Sequence, residues 1–436
     1  MLPSWRMWFV VALLAGAVQA QPQPVQPPAY QGPNGQGQAA YAGVRELRPL
    51  WTAKIDKAEY GQKAVLTAGN RVLLRVGGGV QARDLATGKL IWQVPGAELR
   101  ATAESGVLTT EGKQLTLRRL DTGRVLWRTP LTDVYDVQVQ GGAVYVTTPA
   151  GAQALSLGTG RTRWQFKQPE LTRFAGTLPG IVFWNASQGE PHFPAVYALD
   201  GTSGAVLYRF GGTVGPLAAQ DGQVLLKDFG VIGPDDRAEL TWVDARSGQV
   251  RRKVTLQADF QCPGTSLVQR RGDEGFFAAP FFYLSDRCGT RLTQFQDDPK
   301  AKGDTPQAPL RTFAAPDDGR FRLGPVEGLL LFESWGGEAR LIRATGDSPV
   351  NFNGAEMPTG AGTVLPGSGP VSRADVLGDR LSLGRTDGTL LAYDLAVRKA
   401  AYFVRLPWRG FGPTLRAGSY AVLTTVDQVA VVREAP

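Results

Sequence analysis

Two cysteines, one histidine and three methionines in 436 residues leave little material for metal or thiol chemistry. Cys262, Cys288 and the lone His192 fall short of the four Cys/His ligands of a structural zinc site, and no metal is expected. No G-x-S-x-G element marks a serine nucleophile on a strand-to-helix elbow. A single histidine is more simply a surface or strand-edge residue of the loop QGEPHFPAVY than an acid–base catalyst. No stretch after the N-terminus approaches the ~18 apolar residues of a membrane span. No long segment keeps a 3.6-residue period, which excludes a helical protein. Charged residues make up only 20%, and the net charge of +8 comes from scattered arginine pairs such as Arg118-Arg119, Arg251-Arg252 and Arg270-Arg271. That pattern suits a solvated surface rather than a nucleic-acid stripe, and no nucleic-acid partner is expected.

What is present begins with an export signal. Arg6 supplies the positive charge, Met7 to Val18 is apolar, and Val18-Gln19-Ala20 places small residues where a signal peptidase cuts. Residues 1–20 are thus expected to be a signal peptide, with retention as an anchor the alternative, and the protein to be periplasmic or extracellular. Residues 21–44, rich in Pro, Gln and Gly, carry almost no core-forming side chains and are expected to be a disordered linker. In an exported chain, Cys262 and Cys288 favour one disulfide; two buried free thiols are the other reading.

From residue 45 to 436 the pattern is strand after strand, with Gly, Asp, Asn and Ser between short apolar runs such as VLLRV, AVYVTT and LLLFE. The runs repeat in register. Asp84, Thr87, Gly88 and Trp92 recur as Thr122, Gly123 and Trp127, then as Thr159, Gly160 and Trp164. Asp200, Ser203, Gly204 and Tyr208 follow. Asp244, Ser247 and Gly248 keep the turn but have Arg252 at the aromatic position, and Asp394 and Tyr402 have lost the glycine. The aromatic always lies five residues beyond the Thr/Ser position, and Trp92, Trp127 and Trp164 are 35 and 37 residues apart. A unit of that length holds one four-stranded sheet, which cannot bury both faces alone and must stack on its neighbours. The fold expected is all-β, a propeller of four-stranded blades.

The turn A-x-D-x-x-T-G-x-x-x-W, complete at Ala82 to Trp92, resembles the tryptophan-docking motif of the pyrroloquinoline-quinone (PQQ)-like propellers. That family includes quinoprotein dehydrogenases and an outer-membrane-assembly scaffold lipoprotein, usually with eight blades. Turns fall near residues 88, 123, 160, 204, 248, 298, 346 and 397, and a last partial unit could be completed by a strand near Leu50 to Ile55. Eight blades are expected, with the unit near 298 read as an insertion; seven and nine are the alternatives. The dehydrogenases' disulfide of adjacent cysteines is absent, since Cys262 and Cys288 are far apart. Asp235-Asp236, Asp297-Asp298 and Asp317-Asp318 read as turns rather than a calcium loop. The aromatic-rich run Phe276 to Tyr283 reads as blade core, with Pro280 marking an edge or bulge. The expected function is therefore a monomeric binding or scaffold propeller for a protein or envelope polymer, with no cofactor and no catalytic residues. A PQQ- or Ca²⁺-dependent periplasmic oxidoreductase using the central channel is the alternative.

Overall fold

The computed structural model describes residues 41–434 except 59–62, 105, 189–192, 233–235, 261–274, 287, 301–304, 316–318, 345–361 and 368. Cys262, His192, Asp235, Asp317 and Asp318 lie outside the described residues, as do the signal and nearly all of the linker.

Among the described residues the strands pair into nine sheets, each an antiparallel blade of four strands, one of which gains a fifth strand. In chain order the blades are 1 (65–95), 2 (97–130), 3 (136–167), 4 (171–211), 5 (213–257), 6 (275–314), 7 (320–364), 8 (371–405) and 9 (415–433). Blade 9 takes its outermost strand from the other end of the chain: Trp51–Lys54 pairs with Gln428–Arg433. Eight blades was the expectation, and the count is nine. The unit near residue 298 is no insertion, since Phe281–Ser285, Arg291–Gln296 and Arg311–Ala314 pair as a blade of their own. The C-terminal partial unit is likewise completed from the N-terminus, so every recurrent turn corresponds to one blade.

Each blade buries its faces on its neighbours. Nine hydrophobic clusters occupy the nine interfaces, one between each consecutive pair and one, around Trp51, Val72, Leu74, Val422 and Val431, between blades 9 and 1. That last cluster closes the ring. Middle strands, sandwiched on both faces, are buried throughout, as in Ala143–Thr148 and Leu329–Glu333. Outer strands alternate: in Val125–Pro130 the indole of Trp127 is buried and Leu126 is exposed. The aromatic run of blade 6 is core, with Phe282 and Tyr283 buried. Pro280 is neither edge nor bulge; it sits in the turn joining Gly275–Ala278 to Phe281–Ser285, where its missing N–H interrupts no ladder.

The chain enters this ring earlier than its composition suggested. Tyr41, inside the stretch read as linker, is buried, stacks on Phe403 and shares a hydrogen bond with the Thr389 hydroxyl at 2.9 Å. Glu46–Leu47 then adds to the outer edge of blade 8 as a parallel fifth strand. Among the described residues no helix is long and apolar enough to cross a membrane.

Candidate functional site

The up-and-down order of each blade sends its turns to two faces. Turns between first and second strands, and between third and fourth, lie on one face with the recurrent Asp-x-x-Thr-Gly corners. Hairpins between second and third strands lie on the other, with the connections between blades.

On the corner face the sequence motif is a docking device. Asp84 Oδ1 accepts from the Thr87 amide at 3.1 Å and its hydroxyl at 2.9 Å. Asp200 holds Ser203 in the same way, and Asp244 holds Ser247. These bonds keep both carboxyls below the usual carboxylate range, Asp244 chiefly through Arg251 and then the Ser247 amide, Asp200 through the Ser203 and Thr202 amides. Asp394 accepts from the Val397 amide at 3.0 Å. Thr122 and Thr159 sit in corners whose Asp84-equivalent positions are Arg119 and Ser156.

The aromatic four residues past each glycine belongs to the neighbouring interface. A bulge one residue before Trp92, Trp127, Trp164, Tyr208 and Tyr402 re-aims the side chain toward the next blade. The indole N–H of Trp92 donates to Leu120 O at 2.9 Å, Trp127 to Leu157 O at 2.7 Å and Trp164 to Gly201 O at 2.9 Å. The Tyr208 hydroxyl donates to Ala245 O at 3.0 Å. Each ring lies against the glycine of the next corner. A Cβ on Gly123 would stand 2.8 Å from the Trp92 ring, on Gly160 2.6 Å from Trp127, and on Gly248 2.5 Å from Tyr208. The corner glycine therefore has two duties, a φ near +70° and room for a ring. Burying one indole removes about 150–250 Å² from water, an upper bound of about 4–6 kcal/mol per interface.

Strand register reveals docking positions that the motif did not. Trp51, opposite Val431, docks blade 9 on blade 1: its N–H donates to Leu85 O at 2.9 Å and a Cβ on Gly88 would meet its ring at 2.8 Å. No corner precedes Trp51, so nothing in the repeat marks it, although it stands 41 residues before Trp92. In blade 5 the position is Arg252, whose guanidinium forks onto both oxygens of Asp297 at 2.6 and 3.0 Å and onto Asp298 O at 3.0 Å. The Asp297-Asp298 pair is thus a corner that receives a cation where other corners receive a ring. Blade 6 has Arg311 and blade 7 has Thr363. Tyr402 in blade 8 finds no corner at the chain end and donates instead to Glu434 at 2.7 Å, its hydroxyl pushed up in pKa by burial and then by that carboxylate.

The opposite, hairpin face carries the most exposed large aromatic among the described residues. Trp335 is 75% exposed at the tip of the hairpin between Leu329–Glu333 and Ala339–Arg343. Its loop is held from below by Arg385, fully buried, whose Nη1 donates to Gly337 O at 2.6 Å and Gly369 O at 2.7 Å. The Glu338 amide donates to the Ser334 hydroxyl and the Ser334 amide to Glu338 O, closing the loop on itself. Beneath it the buried Glu333 accepts from Arg322 and from the Val371 amide, tying blade 7 to blade 8. Val426, at the equivalent hairpin of blade 9, is 70% exposed on the same face. Nothing in the repeat pattern flags Trp335; its only signal is a tryptophan within Ser-Trp-Gly-Gly, a turn composition. Among the described residues no three His, Cys, Asp or Glu side chains converge as a metal site.

Comparison with known proteins places this geometry. Residues 76–182 match the family model described as outer membrane protein assembly factor BamB. The match runs from the second strand of blade 1 into the second strand of blade 4, about a quarter of the chain. It agrees with the PQQ-like propeller resemblance drawn from the docking corners. No curated protein matches the chain. Among solved structures, BamB from Moraxella catarrhalis is similar at 11% identity and a TM-score of 0.45, covering 89% of this chain and 99% of that one. A europium-containing methanol dehydrogenase is similar at 12% and 0.46, covering 88% of this chain and 85% of that one. The quinohemoprotein alcohol dehydrogenase from Comamonas testosteroni gives 11% and 0.46, covering 91% and 78%. Likenesses this distant add nothing to the strand pairing, on which the propeller stands.

Proposed function

We propose that this chain is an exported binding scaffold that docks a protein partner on the hairpin face of blades 7 to 9. The supporting observation is Trp335, three-quarters exposed on a loop whose backbone a buried arginine immobilises. Tryptophan is enriched among the few side chains that dominate interface energies, and an anchor fixed before binding loses little entropy when it is covered. The BamB-type match over residues 76–182 favours the same class of role. Export is supported by the charged, apolar and small-residue succession of residues 1–20, and places the protein in the envelope or outside the cell. Cys262 and Cys288 are then paired; thiol titration of the denatured, unreduced protein gives no free thiol if so and two if not.

The test is a photo-crosslinking residue placed at position 335 and, as a control, at Val397, which is 63% exposed on the corner face. In the native envelope a discrete adduct is expected from 335 and not from 397. No adduct, or equal labelling at both sites, would overturn the reading. Trp335→Ala must leave the far-ultraviolet spectrum and the unfolding midpoint unchanged while removing partner binding.

A further inference from the structure

Each Asp corner is a receptor for its own carboxylate. In blades 1, 4 and 5 one oxygen of Asp84, Asp200 or Asp244 accepts from the amide and hydroxyl of the Thr or Ser three residues on, at 2.9 to 3.1 Å. In blades 4 and 5 the amide two residues on joins them. The other oxygen meets an arginine: Arg71, Arg246 and Arg251 in turn. Blade 3 keeps this receptor and lacks the acid. Ser156 holds the Asp position: its amide donates to Arg161 O and its carbonyl accepts from the Gly160 amide, as Asp84 does with Lys89 and Gly88. Thr159 stands three residues on, and Arg163 seven, the offset of Arg251 from Asp244. The Gly158 amide, the Ser156 hydroxyl and the Arg161 guanidinium have no partner among the described residues. The Thr159 amide reaches only Ser156 O, at 3.4 Å, and the exposed Arg163 donates to Gly142 O at 2.8 Å. Blade 2 also lacks the Asp but neutralises its corner from within, since Asp121 accepts from Arg119 and Thr122. The blade 3 corner opens on a depression of about 1000 Å³. Val139 and Leu157 are half-buried in its wall, and its only acid among the described residues, Glu104, belongs to blade 2.

We propose that the blade 3 corner binds an aspartate or glutamate side chain of an extended acidic peptide. The incoming carboxylate takes the place that Asp244 fills in blade 5. One oxygen accepts from the Gly158 and Thr159 amides and the Thr159 hydroxyl, and the other from Arg163. That hydroxyl already accepts from the Arg161 amide at 3.4 Å, as Thr87 does from Lys89, which leaves its proton to donate. Arg161 and Arg163 carry charge that no acid of this corner offsets. The depression beside it, at about 1000 Å³, stands at the upper end of small-ligand sites and suits several residues of extended chain. The site lies on the face opposite Trp335, so its failure leaves the hairpin-face reading standing.

The probe is an acetylated, amidated heptapeptide with a central glutamate, flanked on each side by alanine, leucine and serine in that order. It is titrated into the mature protein and read from the Gly158 and Thr159 amide resonances in ¹⁵N NMR. Both amide protons are expected to move downfield and to saturate with Kd on the order of 1 mM. The same peptide with a central glutamine is expected to bind at least about tenfold more weakly, because charge-assisted hydrogen bonds are lost, and so is acetate, which lacks the flanking chain. Arg163→Gln is expected to weaken the glutamate peptide by a similar factor; the side chain is exposed, so that variant keeps its fold. Ser156→Asp supplies the carboxylate from within. It is expected to abolish binding and to move the same two amide protons downfield without peptide, with the unfolding midpoint at or above wild type. Unsaturable titration at concentrations tenfold above the expected Kd, equal affinity for the glutamine peptide or for acetate, or undiminished binding by Ser156→Asp would each overturn the proposal.

Discussion

Gly123→Ala should destabilise the protein through a contact that lies in another blade. Gly123 has φ +69°, and an added Cβ would stand 2.8 and 2.9 Å from Cδ2 and Cγ of Trp92, closer than real contacts come. Two costs follow. The left-handed backbone costs a non-glycine residue about 1–2 kcal/mol, and forcing a buried ring aside adds about 1–3 kcal/mol of overpacking. The expected total is about 2–5 kcal/mol. Gly112 separates the two, since its φ is +57° and nothing lies within 4 Å of its Cβ. Gly112→Ala should therefore show the backbone cost alone, about 1–2 kcal/mol. The assay is equilibrium urea unfolding followed by tryptophan fluorescence and by circular dichroism, on both single variants and on Gly123→Ala in a Trp92→Ala background. Trp92→Ala alone should cost about 3–5 kcal/mol from cavity formation. With the ring gone, Gly123→Ala should cost no more than Gly112→Ala, giving a coupling of about 1–3 kcal/mol. Equal losses for the two glycine variants, or strict additivity with Trp92→Ala, would refute the claim that the corner glycine is required by the neighbouring ring.

Trp51→Ala should destabilise as much as Trp92→Ala, about 3–5 kcal/mol, despite lying outside any recognisable repeat; a midpoint near wild type would show that the ring does not depend on closure there. Arg252→Ala should cost about 2–4 kcal/mol, since it strands Asp297 at a largely buried interface; Arg252→Lys, lacking the planar fork, should recover only part of that, as read by thermal unfolding. Acid should loosen the corners. Asp200 and Asp244 have folded pKa values below the unfolded ones, so their contribution is present above about pH 4 and is lost as pH falls through the folded values. Asp244→Asn should thus flatten the dependence of stability on pH below about 4 and leave the dependence above it unchanged; an unaltered acid limb would contradict the assigned bonds.

The fold was legible because its information is local. An Asp that caps its own turn, a glycine at positive φ and a ring five residues past the Thr/Ser position act within about a dozen residues, so each corner could be read wherever two of the three survived. Reading weakened where chemistry was exchanged at constant geometry. Arg252 reads as a lost aromatic and Asp297-Asp298 as an ordinary turn, yet together they form one docking contact. Arg398 reads as a lost glycine, though its corner simply has no ring to accommodate.

The sequence alone determined that the chain is all-β, that its unit is a four-stranded sheet, and that an aromatic beyond each corner packs on the adjacent sheet. Those are properties of hairpins and of the residues three to five positions apart within them. Only the tertiary structure decided the number of blades, the role of Trp51 in closing the circle, the burial of Tyr41 under blade 8, and the exposure of Trp335. Each depends on which segments meet across hundreds of residues. Pairing Trp51–Lys54 with Gln428–Arg433 costs chain entropy that no local pattern records, and it is set by the last open sheet edge needing a partner.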